Sequence, residues 1–281
     1  MPERGEVRAR PSGRPESPVR SELLLTDGAR LPYASFGRGE KVLVYLPGIS
    51  LKSPVETADP LTYAYRDLAE DFRIFVFDRR DPLPEGFGLS AMAEDVIAAL
   101  SALGIRRAVI HGISQGGLLA QEIAARCPEL VEGLVLGSTL HHVYPAFLET
   151  TEKWQSMAKG RDRQGLANDL YDRIWFQKKG AFDRRIASRI LSHVSDAELD
   201  RFAVMTAAAK TAESVSAEAV TCPVLVLGAE GDRVIDVSKM RELAELYGAE
   251  SCFYDETYGH AVSDEAPDYY RKIYEFLKKA L

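Results

Sequence analysis

Residues 107–125 read RAVIHGISQGGLLAQEIAA, and the rest of the chain takes its meaning from this stretch. RAVIHG (107–112) has the length and apolar content of a strand. It runs into Gly112-Ile113-Ser114-Gln115-Gly116, followed by Gly117, and then into a segment where Gly116, Ala120 and Ala124 recur every four residues. A small-residue face at that spacing lets a helix lie close against a sheet. Strand, sharp turn and helix are the context in which a Gly-x-Ser-x-Gly pattern carries chemistry. The turn forces the serine into a strained backbone, and glycines two before and two after it remove Cβ atoms that would collide with strand and helix. Ser114 is thereby lifted into the open at a helix N-terminus, whose unpaired N–H groups favour developing negative charge. A serine capping a Gly-rich turn would explain the five residues alone; their place between strand and helix favours a nucleophile.

Outward from that stretch, strand-length apolar runs alternate with segments of helical period. LLLTDGARLPYASFG (23–37) reads as a hairpin turning at Asp27-Gly28. VLVYL (42–46), RIFVF (73–77), GLVLGS (133–138), PVLVLG (223–228) and SCFYDE (251–256) read as further strands. The middle runs are apolar on both faces, as parallel strands covered by helices must be. Met92, Val96, Leu100 and Leu103 make a helical stripe that stops at Gly104, and Tyr270, Ile273, Phe276 and Leu277 share one side of a last helix over Tyr269 to Leu281. The pattern predicts an α/β fold with a mostly parallel central sheet flanked by helices. Residues 146–222 break the rhythm, with no Pro and a content of Ala, Leu, Lys, Arg and Asp that reads as several short helices. The expected organisation is a disordered tail over 1–20, a core over 21–140 and 219–281, and an inserted helical cap over 141–218. The tail, MPERGEVRARPSGRPESPVR, has too few apolar side chains to offset the entropy of ordering.

Composition narrows the partners. With 281 residues, 46% hydrophobic and 27% charged, 21 Gly and 14 Pro, the chain is neither collagen-like, wholly disordered nor disulfide-stapled. Its net charge of −7, with no Lys/Arg block recurring in the folded region, argues against a nucleic-acid partner. Cys127, Cys222 and Cys252 stand far apart, which suggests a reducing, cytoplasmic compartment and small buried thiols rather than bridges or metal ligands. No run of 18 apolar residues exists, so no membrane span is expected, and the tail lacks the apolar core of a secretory signal.

A serine hydroxyl is a weak nucleophile at neutral pH; it needs a base, and the base needs a partner to hold its tautomer. Of five histidines, His111, His141, His142, His193 and His260, the last lies in Tyr258-Gly259-His260, past the final strand, where it can reach the sheet's carboxyl edge. The strand PVLVLG ends in Ala229-Glu230-Gly231-Asp232-Arg233-Val234. Asp232 is the preferred acid, beyond a glycine at a strand's carboxyl end; Glu230 and Asp236 compete, and either could cap the next helix. An oxyanion needs two donors: Gln115 N–H supplies one, and Leu46-Pro47-Gly48-Ile49-Ser50 can supply the other from Ile49.

Together these residues resemble the α/β-hydrolase family over about residues 22–281, interrupted by the cap. Asp78-Arg79-Arg80, the segment Asp95 to Gly104, and Gly259-His260 followed by Glu265-Ala266-Pro267 add to the likeness. The resemblance implies the α/β-hydrolase fold, with Ser114 as nucleophile, His260 as general base and acid, Asp232 as its orienter, and Ile49 and Gln115 as oxyanion donors. It implies a serine hydrolase acting on a small carboxylic ester or lactone through an acyl-enzyme, with no metal or organic cofactor. Relatives of this fold use the same groups as carbon–carbon bond hydrolases, aminopeptidases and cofactor-free perhydrolases, and a ligand-binding receptor is the rival from another class. Two departures stand out: Pro47-Gly48 where many relatives have His-Gly, and DRRDPLPEGFG (78–88) where they have a short Asp-x-Arg-Gly-x-Gly loop. Serine at 114 argues against the dehalogenase and epoxide-hydrolase branches, which use aspartate there. His141, His142 and Tyr144, with Trp154, Trp175 and Phe176 in the cap, are candidates to line the substrate pocket, although aromatics at helical spacing more often pack. Self-association stays open, a homodimer among the options.

Overall fold

In the central strands most side chains are apolar or small because both faces are covered, and alternate residues go to opposite sides. Val44, Leu46 and Ile110 join one buried cluster, while Leu43, Tyr45 and Val109 join the other. Each fully buried Leu or Ile stabilises the fold by roughly 1.5–3 kcal/mol relative to exposure. The computed structural model describes residues 16–175, 189 and 193–281. Its sheet has eight strands: β1 (Val19–Leu24), β2 (Arg30–Phe36), β3 (Lys41–Leu46), β4 (Phe72–Phe77), β5 (Ala108–Ile113), β6 (Val131–Gly137), β7 (Val224–Ala229) and β8 (Glu250–Tyr254). They lie in the order β1-β2-β4-β3-β5-β6-β7-β8, antiparallel from β1 to β4 and parallel from β4 to β8.

The described helices are α1 (Asp59–Ala64), α2 (Leu89–Ala102), α3 (Gln115–Arg126), α4 (Pro145–Lys159), α5 (Arg163–Ile174), α6 (Asp196–Ala209), α7 (Val237–Leu246), α8 (Val262–Glu265) and α9 (Tyr269–Ala280). Gly104 takes φ +71° just past α2, the left-handed conformation that ends a helix. Between β6 and β7 the described chain is helical, as the composition of 146–222 predicts. Pro145 opens α4, and a reciprocal Ser195–Glu198 capping box opens α6. None of the described helices is long and apolar enough to cross a membrane.

The tail boundary needs correction. Val19 and Arg20 belong to β1, paired with Ser35 and Ala34 of β2. The side chains of β1 are almost all exposed, so no apolar pattern announces this edge strand. Its backbone ladder holds it, together with Arg20, whose Nε donates to Val55 O at 3.0 Å and whose guanidinium pairs with Asp59. Residues 1–15 of the tail, and Phe176, lie outside the described residues.

One polar side chain sits inside β5. His111 is fully buried, its Nδ1 2.5 Å from Tyr65 Oη and its Nε2 3.2 Å from Tyr269 Oη. Burial drives its pKa down to about 3, so the ring is neutral in the folded protein. It is a structural histidine tying α9 and the segment after α1 to the sheet.

Candidate active site

Ser114 has φ +55° and ψ −122°, a strained backbone for a residue with a Cβ. Two demands meet there. Its N–H still continues the strand ladder, donating to Gly137 O at 2.9 Å, while its carbonyl already starts α3, accepting from Gly117 N at 2.9 Å and from Thr139 Oγ1 at 2.8 Å. The flanking glycines are required by space. A Cβ on Gly116 would stand 1.9 Å from Leu46 O, and one on Gly112 would stand 2.2 Å from Gly116 O.

The loop after β3 passes beside the serine: a Cβ on Gly48 would lie 3.0 Å from Ser114 Cβ and 3.5 Å from Ser114 Oγ. Ile49, half-buried, follows on that loop. Among the described residues the N–H groups of Ile49 and Gln115 donate no hydrogen bond, so both remain available. The loop is braced by Arg79, a residue the sequence reading left without a role. Buried Arg79 donates from Nη2 to Pro47 O at 2.8 Å and to Gln115 Oε1 at 3.0 Å. Gln115 Nε2 in turn donates to Met205 O of α6 at 2.5 Å. Burial lowers the Arg79 pKa to about 10, with adjacent Asp78 opposing the shift, which leaves the guanidinium charged at neutral pH. The signal of this brace in the sequence was Asp78-Arg79-Arg80, which local pattern alone could not tie to residue 47.

The loops after β7 and β8 touch: a Cβ on Gly231 would meet Tyr258 O at 2.5 Å. That contact brings His260 Nδ1 to 2.8 Å from Asp232 Oδ2. The Asp232 side chain is fully buried, and its other oxygen accepts from Val234 N at 2.8 Å and Ile235 N at 2.9 Å. The rival carboxylates are engaged elsewhere, Glu230 with Arg241 and Asp236 capping α7 by accepting from Ser238 N at 2.8 Å. With Nδ1 committed to the acid, the imidazole keeps Nε2 for another partner. Among the described residues no hydrogen bond joins Ser114 Oγ to His260. Serine, oxyanion loop, acid and histidine follow β5, β3, β7 and β8 and so share the carboxyl edge of the sheet, where open α/β sheets place their ligands.

The candidate lining residues separate. His141 and His142 are half-buried just past β6. Tyr144, half-buried, accepts from Asp236 N at 2.7 Å through its hydroxyl and so supports the acid loop. Trp175, half-buried at the end of α5, lies against Tyr171 with ring centroids 6.1 Å apart. Trp154 is only 4% exposed, packs on Phe202 and donates from Nε1 to Asp169 Oδ2 at 2.7 Å. It sits in the seam between helices rather than on an open wall, because burying its ring there outweighs exposure.

Comparison with known proteins agrees with this architecture. The model of the α/β-hydrolase fold family matches residues 41–267. RutD of Agrobacterium fabrum, a protein named as a carbamate hydrolase, is 29% identical over 233 residues, 76% of this chain and 85% of its own. A hydrolase from Pseudomonas aeruginosa superposes with a TM-score of 0.78 at 24% identity, covering 92% of this chain and 98% of its own. The enol-lactonase from Burkholderia xenovorans superposes with a TM-score of 0.77 at 20% identity, covering 92% of this chain and all of its own. The strained serine between strand and helix, the sheet order and the matched span lead to one conclusion: this chain belongs to the α/β-hydrolase family.

Proposed function

We propose that this protein is a serine hydrolase that cleaves a small carboxylic ester or lactone through an acyl-enzyme on Ser114. The observation that carries the reading is a strained serine at the N-terminus of α3, beside Gly48, on the same sheet edge as a hydrogen-bonded Asp232–His260 pair. In the first half-reaction Ser114 Oγ attacks the carbonyl carbon and its proton passes to His260 Nε2. Asp232, held by two backbone N–H groups, fixes the imidazole tautomer and stabilises the imidazolium. The carbonyl oxygen becomes an oxyanion facing the N–H groups of Ile49 and Gln115; each such donor typically lowers the barrier by roughly 3 kcal/mol. Collapse expels the alcohol oxygen, protonated by His260, and leaves the acyl group on serine. Water then attacks with His260 again as base, and the carboxylic acid departs. A serine–histidine bond that closes only with substrate bound is usual for such sites. The helices between β6 and β7 act as the cap that excludes water and selects the acyl or alcohol part.

Fluorophosphonate labelling of the folded protein with peptide mapping tests the nucleophile, with a single adduct expected on Ser114. Ser114→Ala should lower hydrolysis by on the order of 10⁴-fold or more while leaving the melting temperature nearly unchanged. Absence of the adduct would favour a receptor on the hydrolase fold, and retained turnover would require another nucleophile. A screen over esters of increasing acyl length, lactones, carbamates and aminoacyl amides reads the reaction class. The relative named for carbamate hydrolysis makes the carbamate arm its main competitor.

A further inference from the structure

Successive side chains of a strand point to opposite faces, so neighbouring histidines cannot converge there. Past β6 the backbone turns instead, with Ser138 at φ +43°, and His141 and His142 lie side by side. Their rings stand 76° apart with centroids 4.2 Å from each other, and His142 Nδ1 is 2.7 Å from His141 Nε2. Glu242 of α7 faces them, and one ligand atom from each of the three residues lies within 4.8 Å of the others. All three side chains are half-buried. The other ring nitrogen of His141, Nδ1, is buried and has no hydrogen-bond partner. Two neutral imidazoles in this arrangement share one N–H···N bond, which leaves the carboxylate to be neutralised from outside the pair; Lys239 does so from 2.6 Å.

We propose that His141, His142 and Glu242 form a binding site for one divalent transition-metal ion of the zinc class, joining the loop after β6 to α7. Two imidazole nitrogens and one carboxylate suit Zn²⁺ and its neighbours, whereas Mg²⁺ and Ca²⁺ require oxygen ligands. Tetrahedral zinc with bonds near 2.0–2.1 Å places each pair of ligand atoms about 3.3 Å apart, so the two imidazole nitrogens must part and turn, and the carboxylate, within 4.8 Å of them, must close in to admit it. The fourth position would go to water. In binding, whichever ring donates the shared N–H takes its other tautomer, so that both facing nitrogens present lone pairs and no proton is lost, and the Lys239 ammonium leaves the carboxylate to the ion. The site goes beyond the proposed hydrolysis and is independent of it: Ser114 takes no part.

Tag-free, chelator-stripped full-length protein titrated with ZnCl₂ by calorimetry, with thermal unfolding in parallel, tests the site. One equivalent should bind and raise the melting temperature, while MgCl₂ does neither. Glu242→Gln should weaken zinc binding at least tenfold, a paired His141→Asn, His142→Asn variant should abolish it, and Lys239→Met, which removes the competing cation, should tighten it. No saturable binding would overturn the proposal, and so would equal affinity in the paired variant, which would assign the ion to cysteines or other surface groups. If the paired variant fails to fold, unchanged affinity in Glu242→Gln alone overturns it.

Discussion

At Gly116 a single methyl group separates a folded turn from an impossible one. Its Cβ would meet a backbone carbonyl, Leu46 O, at 1.9 Å, and neither the strand nor the helix can retreat. Gly116→Ala is expected to cost at least about 3 kcal/mol, read as a lower urea midpoint. Gly48 is different in kind: there the methyl would press on Ser114 Cβ at 3.0 Å and Oγ at 3.5 Å, with no backbone atom nearer than 3.4 Å. Gly48→Ala should therefore leave stability within about 1 kcal/mol of the parent but lower ester hydrolysis by roughly tenfold or more through displacement of the attacking group. Equal effects of the two changes on stability would contradict this division.

Among the elements, α6 ties the inserted helices to the sheet through a graded set of contacts. Arg201 pairs with buried Asp78, whose other partners are Ser53 Oγ at 2.7 Å and Arg79 N at 2.7 Å. Lys52 pairs with Glu198 at 2.7 Å, and Gln115 reaches Met205 O. Exposure ranks these contacts: the Asp78 side chain is 6% exposed, the Lys52 and Glu198 side chains 36% and 28%. Removing one partner of a buried pair strands a charge, so Arg201→Met should destabilise by about 3 kcal/mol. Lys52→Met, at a solvent-screened pair, should cost less than about 1 kcal/mol. Denaturant unfolding of both variants checks the ranking, and the reverse order would refute it.

For the whole molecule, His111 sets part of the response to acid. Its folded pKa of about 3 lies below the ordinary histidine value of 6.5 because the ring is buried. The stability it supports is therefore complete above pH 6.5 and declines as pH falls towards 3, since only the unfolded chain takes up the proton; the slope approaches 1.4 kcal/mol per pH unit at most. His111→Gln should be less stable than the parent at pH 8 by about 2 kcal/mol, because Tyr65 and Tyr269 lose their shared partner. The gap should narrow between pH 6.5 and 4. Urea unfolding across that range provides the check, and a gap that stays constant with pH would exclude His111 as a titrating contributor.

What residues 107–125 could reveal was everything set by neighbours in the chain: an apolar strand, a turn that needs glycine, a serine exposed at a helix start. These follow from backbone geometry and side-chain period, which act over a few residues. The strand at Val19 escaped because an exposed edge strand is held by its ladder to β2 rather than by apolar pattern. The seam position of Trp154 and the reach of Arg79 to Pro47, unlike the Asp232–His260 pair that the order of motifs already suggested, were decided in three dimensions. Each joins residues whose spacing along the chain carries no information about distance, so only the packing of sheet, loops and inserted helices could select the partner.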